Sequence, residues 1–290
     1  MSMDLARFGL NRRPFPPTPD TVLYYPATPH EQALAPLLHA VDGDEGLALL
    51  IGEPGVGKSL LGQVLLERLG DSAVSAFLPH SHFENRAALL QTLLYDLGLP
   101  YEDASEQTLR LRLTEHALKT CADGKRLVAI VDEAHLLSAE LLEELRLLGN
   151  LEAGRKAFQV VCLAQSSILE TLKNPRLAAW NQRVSVRIFL PALTVEDAVD
   201  YLVHHVRLAG GQPSGVFDDE ALETIARACH GVPRLLNQTA NQSMILADAA
   251  NLERIDVECA LEALTLLGLE VDDEAGPAEP LLGMPQRRSA

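Results

Sequence analysis

The string Gly52-Glu53-Pro54-Gly55-Val56-Gly57-Lys58-Ser59 sets a lysine and a hydroxyl at the end of a loop containing three glycines. This G-x-x-x-x-G-K-[ST] spacing lets the backbone bend until successive N–H groups converge on phosphate oxygens. Lys58 then reaches the β and γ phosphates of a nucleoside triphosphate, Ser59 is placed to ligate Mg²⁺, and the candidate nucleotide-binding stretch runs on to Leu60. Further along, Leu127-Val-Ala-Ile-Val-Asp-Glu-Ala-His135 ends an apolar run in two carboxylates. At the end of a strand, Asp132 can hold Mg²⁺ through its coordination shell, while Glu133 orients and deprotonates an attacking water. The chemistry implied is transfer of a phosphoryl group from a nucleoside triphosphate, bound with Mg²⁺, to water; the motifs do not choose between ATP and GTP. D-E-A-H also occurs in helicases that pair two such cores, and 290 residues leave room for one.

These residues need a strand before the loop and a helix after it. Gly46–Ile51 is an apolar run suited to a buried parallel strand, and the stretch after Ser59 places apolar residues at helical spacing. The loop therefore opens a helix, whose N-terminal amides and dipole favour an anion. Four further strands are expected at 73–78, 127–131, 158–164 and 184–189, with helices at 30–41, 85–97, 106–121 and 139–148 between them. The alternation predicts an α/β fold, a parallel five-stranded sheet with helices on both faces. Beyond Pro191 the pattern becomes helical only, starting at Thr194, Asp218, Pro233 and Asp256, which predicts a small all-helical lid domain.

The expected organisation is a Pro/aromatic arm over residues 1–30, a nucleotide-binding α/β domain over 31–190, the lid over 191–268 and an acidic disordered tail over 269–290. Phe8, Phe15, Leu23, Tyr24 and Tyr25 offer burial area, so the arm is expected to lie ordered across the nucleotide domain.

The net charge is −16 and the sequence is 47% apolar. Splitting at residue 190 gives 18 Lys and Arg against 23 Asp and Glu before it, and 6 against 17 after it. Neither part has the basic excess of an autonomous DNA-binding surface, so DNA is not favoured as a partner. No apolar run approaches the ~18–20 residues that span a bilayer, and the N-terminus lacks a secretory apolar core, which makes cytoplasmic the expected location. Cys121, Cys162, Cys229 and Cys259 lack metal-ligand spacing and read as reduced structural thiols.

A phosphate loop, a D-E pair, a strand ending in a polar residue, N-Q-R before the fifth strand and G-V-P-R in the helical part together resemble an AAA+ ATPase. More narrowly, F-G-L-x-x-x-P-F, T-P-D, E-E-L-R-L-L-x-N-L-E, N-Q-R-V and G-V-P-R-L-L-N resemble the ExeA (general secretion pathway protein A) group over residues 5–268. The resemblance implies that Gln165 acts as sensor 1, positioning water near the γ phosphate. It implies that Arg234 acts as sensor 2, reaching from the lid to the phosphates. Arg183 resembles an arginine finger that enters a neighbouring subunit's site, with Arg176 and Arg187 as rivals. Residues 146–187 hold seven basic side chains against two acidic ones, a local positive edge. A homo-oligomer and a protein partner in secretion or envelope assembly follow from the same resemblance. A DNA-bound regulator like the transposition ATPases and a nucleotide-gated scaffold with little turnover are the alternatives. His80 could contact Glu133 as a switch, though a surface histidine is the plainer reading, and His204 and His205 read as helix-face residues.

Overall fold

Short, β-branched and leucine-rich runs form one parallel sheet, whose inner strands are almost wholly buried and whose two edge strands are partly covered. The computed structural model describes residues 3–269; the expected disordered tail falls, apart from Leu269, outside the described residues. The strands are β1 (Leu47–Gly52), β2 (Ala73–Leu78), β3 (Arg126–Val131), β4 (Phe158–Ala164) and β5 (Val186–Leu190), in the order β2-β3-β4-β1-β5. All pairs are parallel; Ile51 of β1 lies opposite Ala164 of β4 on one side and Phe189 of β5 on the other.

Helices cover both faces, as a parallel sheet requires. In chain order they are α1 (Thr28–Asp42), α2 (Lys58–Leu69), α3 (Arg86–Asp96), α4 (Glu106–Ala122), α5 (Ala139–Leu148), and the short α6 (Ile168–Thr171) and α7 (Ala178–Arg183). The period-2 alternation of β1 divides the core. Leu47, Leu49 and Ile51 pack with leucines of α3, α4 and α5, whereas Ala48 and Leu50 pack with α1 and α2. Ser138 caps α5 by accepting a hydrogen bond from the Leu141 N–H at 3.3 Å.

A second core belongs to α8 (Val195–Leu208), α9 (Pro213–Val216), α10 (Asp219–Ala228), α11 (Pro233–Ala249) and α12 (Val257–Leu266). The N-terminal segment departs from expectation here. Phe8, Leu10 and Phe15 insert into this helical core instead of lying across the sheet domain. Two bonds fix them: the Asn11 N–H donates to the Ala209 carbonyl at 2.8 Å, and His205 Nδ1 lies 2.9 Å from the Pro14 carbonyl. The physical reason is burial, since the rings complete an apolar cluster that five short helices leave unfilled. Only the end of the segment reaches the sheet domain, where Tyr24 Oη donates to Glu31 at 2.8 Å and Arg68 grips Glu31 with both nitrogens.

Candidate functional site

Three neighbouring strands end at the same rim of the sheet. β1 runs into the glycine loop, β3 into Asp132 and Glu133, and β4 into Gln165. The chain order reverses beside β1, and such a switch point opens a crevice beyond the strand ends.

The loop takes backbone that only glycine adopts freely, with φ of +87° at Gly55 and +101° at Gly57. A Cβ on Gly57 would come within 3.0 Å of His30 Nε2, which itself lies 2.9 Å from the Val56 carbonyl. His30 is buried, and burial pushes its pKa down against the hydrogen bond to Val56. It therefore braces the loop as a neutral ring. The N–H of Leu61 is bonded to the Gly57 carbonyl, so the amides before it face outward from the first turn of α2 without intrahelical acceptors. Lys58 Nζ donates to the carbonyls of Gly52 at 2.9 Å and Glu53 at 3.0 Å. Burial lowers its pKa, while Glu133, Asp132 and Glu53 pull it back up. This amide-lined, cationic cradle fits a polyphosphate.

Asp132 is 3% exposed, and burial raises its pKa against hydrogen bonds from Ser59 and from the Glu133 N–H. The two expected Mg²⁺ ligands thus face each other as hard oxygens. They fit a cation that takes one carboxylate, one hydroxyl and otherwise water and phosphate. Among the described residues, no group of three or more His, Cys, Asp or Glu forms a metal cage of its own.

Glu133 has left-handed backbone, φ 53°, and opens a tight turn over Ala134–Leu136. Its Oε2 accepts from Gln165 Nε2 at 3.2 Å and lies 3.4 Å from His135 Nε2. His80 takes the surface position that was the plainer reading, exposed with its ring 6.0 Å from that of Phe83. The histidine that meets Glu133 follows it in sequence, because the turn folds the chain back on itself. D-E-A-H contained His135, but only the positive φ of Glu133 reveals where its ring points.

The helical half closes the crevice. The Arg234 N–H donates to the Gly55 carbonyl at 3.2 Å, joining the start of α11 to the phosphate loop. Between them lies a cleft of about 470 Å³, lined by Lys58 and Ser59, by Glu133 and Gln165, by Arg234, and by Tyr201, Asn237 and Gln238. Residues 16–19 of the N-terminal segment complete its wall. Sequence reasoning missed that wall and His30, since neither belongs to a motif. Arg183 stands apart: it is exposed at the end of α7, outside this cleft, and its side chain makes no hydrogen bond or ion pair among the described residues. Arg176 and Arg187 are exposed nearby in sequence, Arg187 bonded to Asn181 at 2.9 Å. His205, expected on a helix face, is instead buried against Tyr201 and Phe15, and burial pushes its pKa down to about 4.

Residues 41–172 match the AAA domain family. The chain is also 35% identical over 251 residues to "General secretion pathway protein A" of Aeromonas hydrophila, covering 86% of this chain. The chain carries an AAA domain and is similar to the ExeA group. It spans 45% of that relative's length. The fold of this AAA+ chain is shared with solved structures. The Aeropyrum pernix ORC2 protein, solved as ADPNP-ADP complexes, superposes with a TM-score of 0.66 at 16% identity, over 82% of this chain and 66% of that one. The Aeropyrum pernix ORC1 protein, solved in complex with DNA, gives 0.67 at 20% identity, over 88% and 69%. No helix among the described residues of this AAA+ chain is long and apolar enough to cross a membrane.

Proposed function

We propose that this AAA+ chain binds ATP with Mg²⁺, hydrolyses it at a site shared between adjoining copies, and uses the lid's response to remodel or assemble a protein partner. The observation that carries the reading is the cleft, where phosphate-loop Lys58, the Glu133–Gln165 pair and lid residue Arg234 line one space. The name of the relative makes secretion or envelope assembly the setting to test first.

In this reading the amides of the loop and the Lys58 ammonium hold the β and γ phosphates. Ser59 and Asp132 hold Mg²⁺, which supplies charge neutralisation at the phosphates. Glu133, held by Gln165, accepts a proton from the attacking water as the bond from γ-phosphorus to the bridging oxygen of ADP breaks. Gln165 orients that water. Arg234 senses the phosphates, and its backbone link to Gly55 passes their presence to α11. Arg183, its side chain exposed and without a hydrogen-bond or ion-pair partner among the described residues, enters the neighbour's cleft. A finger supplied in trans accelerates hydrolysis ~10³–10⁵-fold, about 4–7 kcal/mol of barrier, so the isolated monomer is a poor ATPase.

The test is ATP turnover against protein concentration, with mass followed by light scattering, with and without duplex DNA. The reading expects turnover that climbs with assembly and ignores DNA. Turnover that needs DNA would replace it with a DNA-bound regulator, and assembly with bound but uncleaved ATP would replace it with a scaffold. Mixing Arg183→Ala with Lys58→Ala protein should restore part of the activity that neither has alone; no restoration removes Arg183 as the finger.

A further inference from the structure

His135 touches two of the groups assigned above. Its Nε2 lies 3.4 Å from Glu133 Oε2, and its Nδ1 lies 3.4 Å from the backbone nitrogen of Gln165. Its side chain is 9% exposed, against 36% for that of Glu133. A backbone N–H can only donate, so Nδ1 is the acceptor and the ring hydrogen sits on Nε2, directed at the carboxylate. Gln165 completes the ring of contacts by donating its own Nε2–H to the same Glu133 oxygen at 3.2 Å. The triangle joins the end of β3 to the end of β4, so a shift of either strand end is felt at the carboxylate.

We infer that His135 is a positioning residue for hydrolysis: as a neutral ring it fixes one oxygen of Glu133, leaving the other for water, and locks the end of β4 that carries Gln165. This rests on the reading of Glu133 as the base. The left-handed backbone of Glu133 gives the lock its purpose, since a strained non-glycine residue persists only where its surroundings hold it. Outer partners that orient a reacting group commonly account for 10–100-fold of activity.

Steady-state kinetics of His135→Ala and His135→Gln in the full chain test this, beside binding of a fluorescent ATP analogue. The expected result is a kcat lowered ~10–100-fold by His135→Ala with KM and analogue Kd within about twofold, and partial recovery in His135→Gln, whose amide can donate to Glu133 and accept from Gln165. In a Glu133→Gln background, His135→Ala should cost nothing further. Unchanged kcat, or equal losses of kcat and analogue binding, would overturn the inference. Ring-nitrogen NMR reads the contact without turnover. The wild-type ring should be the Nε2–H tautomer, and Glu133→Ala should shift the Nε2 signal. A spectrum indifferent to Glu133 overturns the inference, whereas a shifted spectrum in a protein without turnover overturns only the hydrolytic reading.

Discussion

Gly231 lies in the turn between α10 and α11 with φ 66°, three residues before Arg234. A Cβ there would sit 1.8 Å from the carbonyl oxygen of Leu193, in the linker from β5 to α8. The Leu193 N–H also donates to the Gly231 carbonyl at 2.9 Å, so turn and linker are pinned together at backbone distance. In Gly231→Ala they must part by at least 1.2 Å to reach even 3.0 Å, a separation that Cβ atoms do not go below. Left-handed backbone costs alanine about 1–2 kcal/mol and the broken hydrogen bond about 1 more, so the loss of stability is roughly 2–3 kcal/mol. The displacement is passed along the start of α11 to Arg234 and its bond to Gly55. Misplacement by ~1 Å can cost up to ~10²-fold in rate. Thermal unfolding and steady-state ATP turnover of the variant check this: Tm should fall by several degrees and turnover by one to two orders of magnitude. A variant that melts and turns over like wild type would refute the claim that this backbone contact sets the lid.

Two further outcomes follow from buried ionisable groups. His205 titrates at about 4 in the folded chain, chiefly from burial and further from His204 and Arg12, with the Pro14 hydrogen bond opposing. Against ~6.5 unfolded, its stabilising contribution is complete above pH 6.5 and is lost as pH falls toward 4, about 3 kcal/mol in all. Unfolding free energy measured across that window should fall with acid, and His205→Phe should flatten the slope; an unchanged slope would mean the ring is not buried neutral against the N-terminal segment. Asp132 has its pKa raised by burial, so the folded chain holds that proton more tightly than the unfolded one. The contribution is lost as pH rises through the folded value, above which the ionised carboxylate destabilises the nucleotide-free chain. Asp132→Asn should therefore raise the nucleotide-free Tm while removing Mg²⁺-dependent turnover; a lowered Tm would contradict the burial argument.

The sheet was legible because buried parallel strands announce themselves as uninterrupted apolar runs. The ranges expected for β2 and β4, 73–78 and 158–164, coincide with those observed, as does that of α5. β5, expected at 184–189, starts two residues later and ends one later, at Val186–Leu190, because its alternating burial, Val186 and Ile188 half-covered and Arg187 and Phe189 exposed, marks an edge strand rather than a buried run. The phosphate loop and the Asp132–Glu133 pair were legible because their chemistry is local in sequence. What stayed hidden is set by distant packing: Phe8 and Phe15 signalled burial but not against which core, and nothing in the order of residues says that residues 16–19 wall the cleft. His80 was the histidine weighed as a contact of Glu133, whereas the left-handed turn at Glu133 brings His135 to it instead.

The central claim is that this cleft hydrolyses ATP with Glu133 as the base, and Glu133→Gln tests it most directly. Equilibrium binding of ATP and release of phosphate should be measured on the same preparation at assembling concentrations. Wild-type ATP affinity with phosphate release reduced to background is the expected result; release that persists in Glu133→Gln would rule Glu133 out as the base.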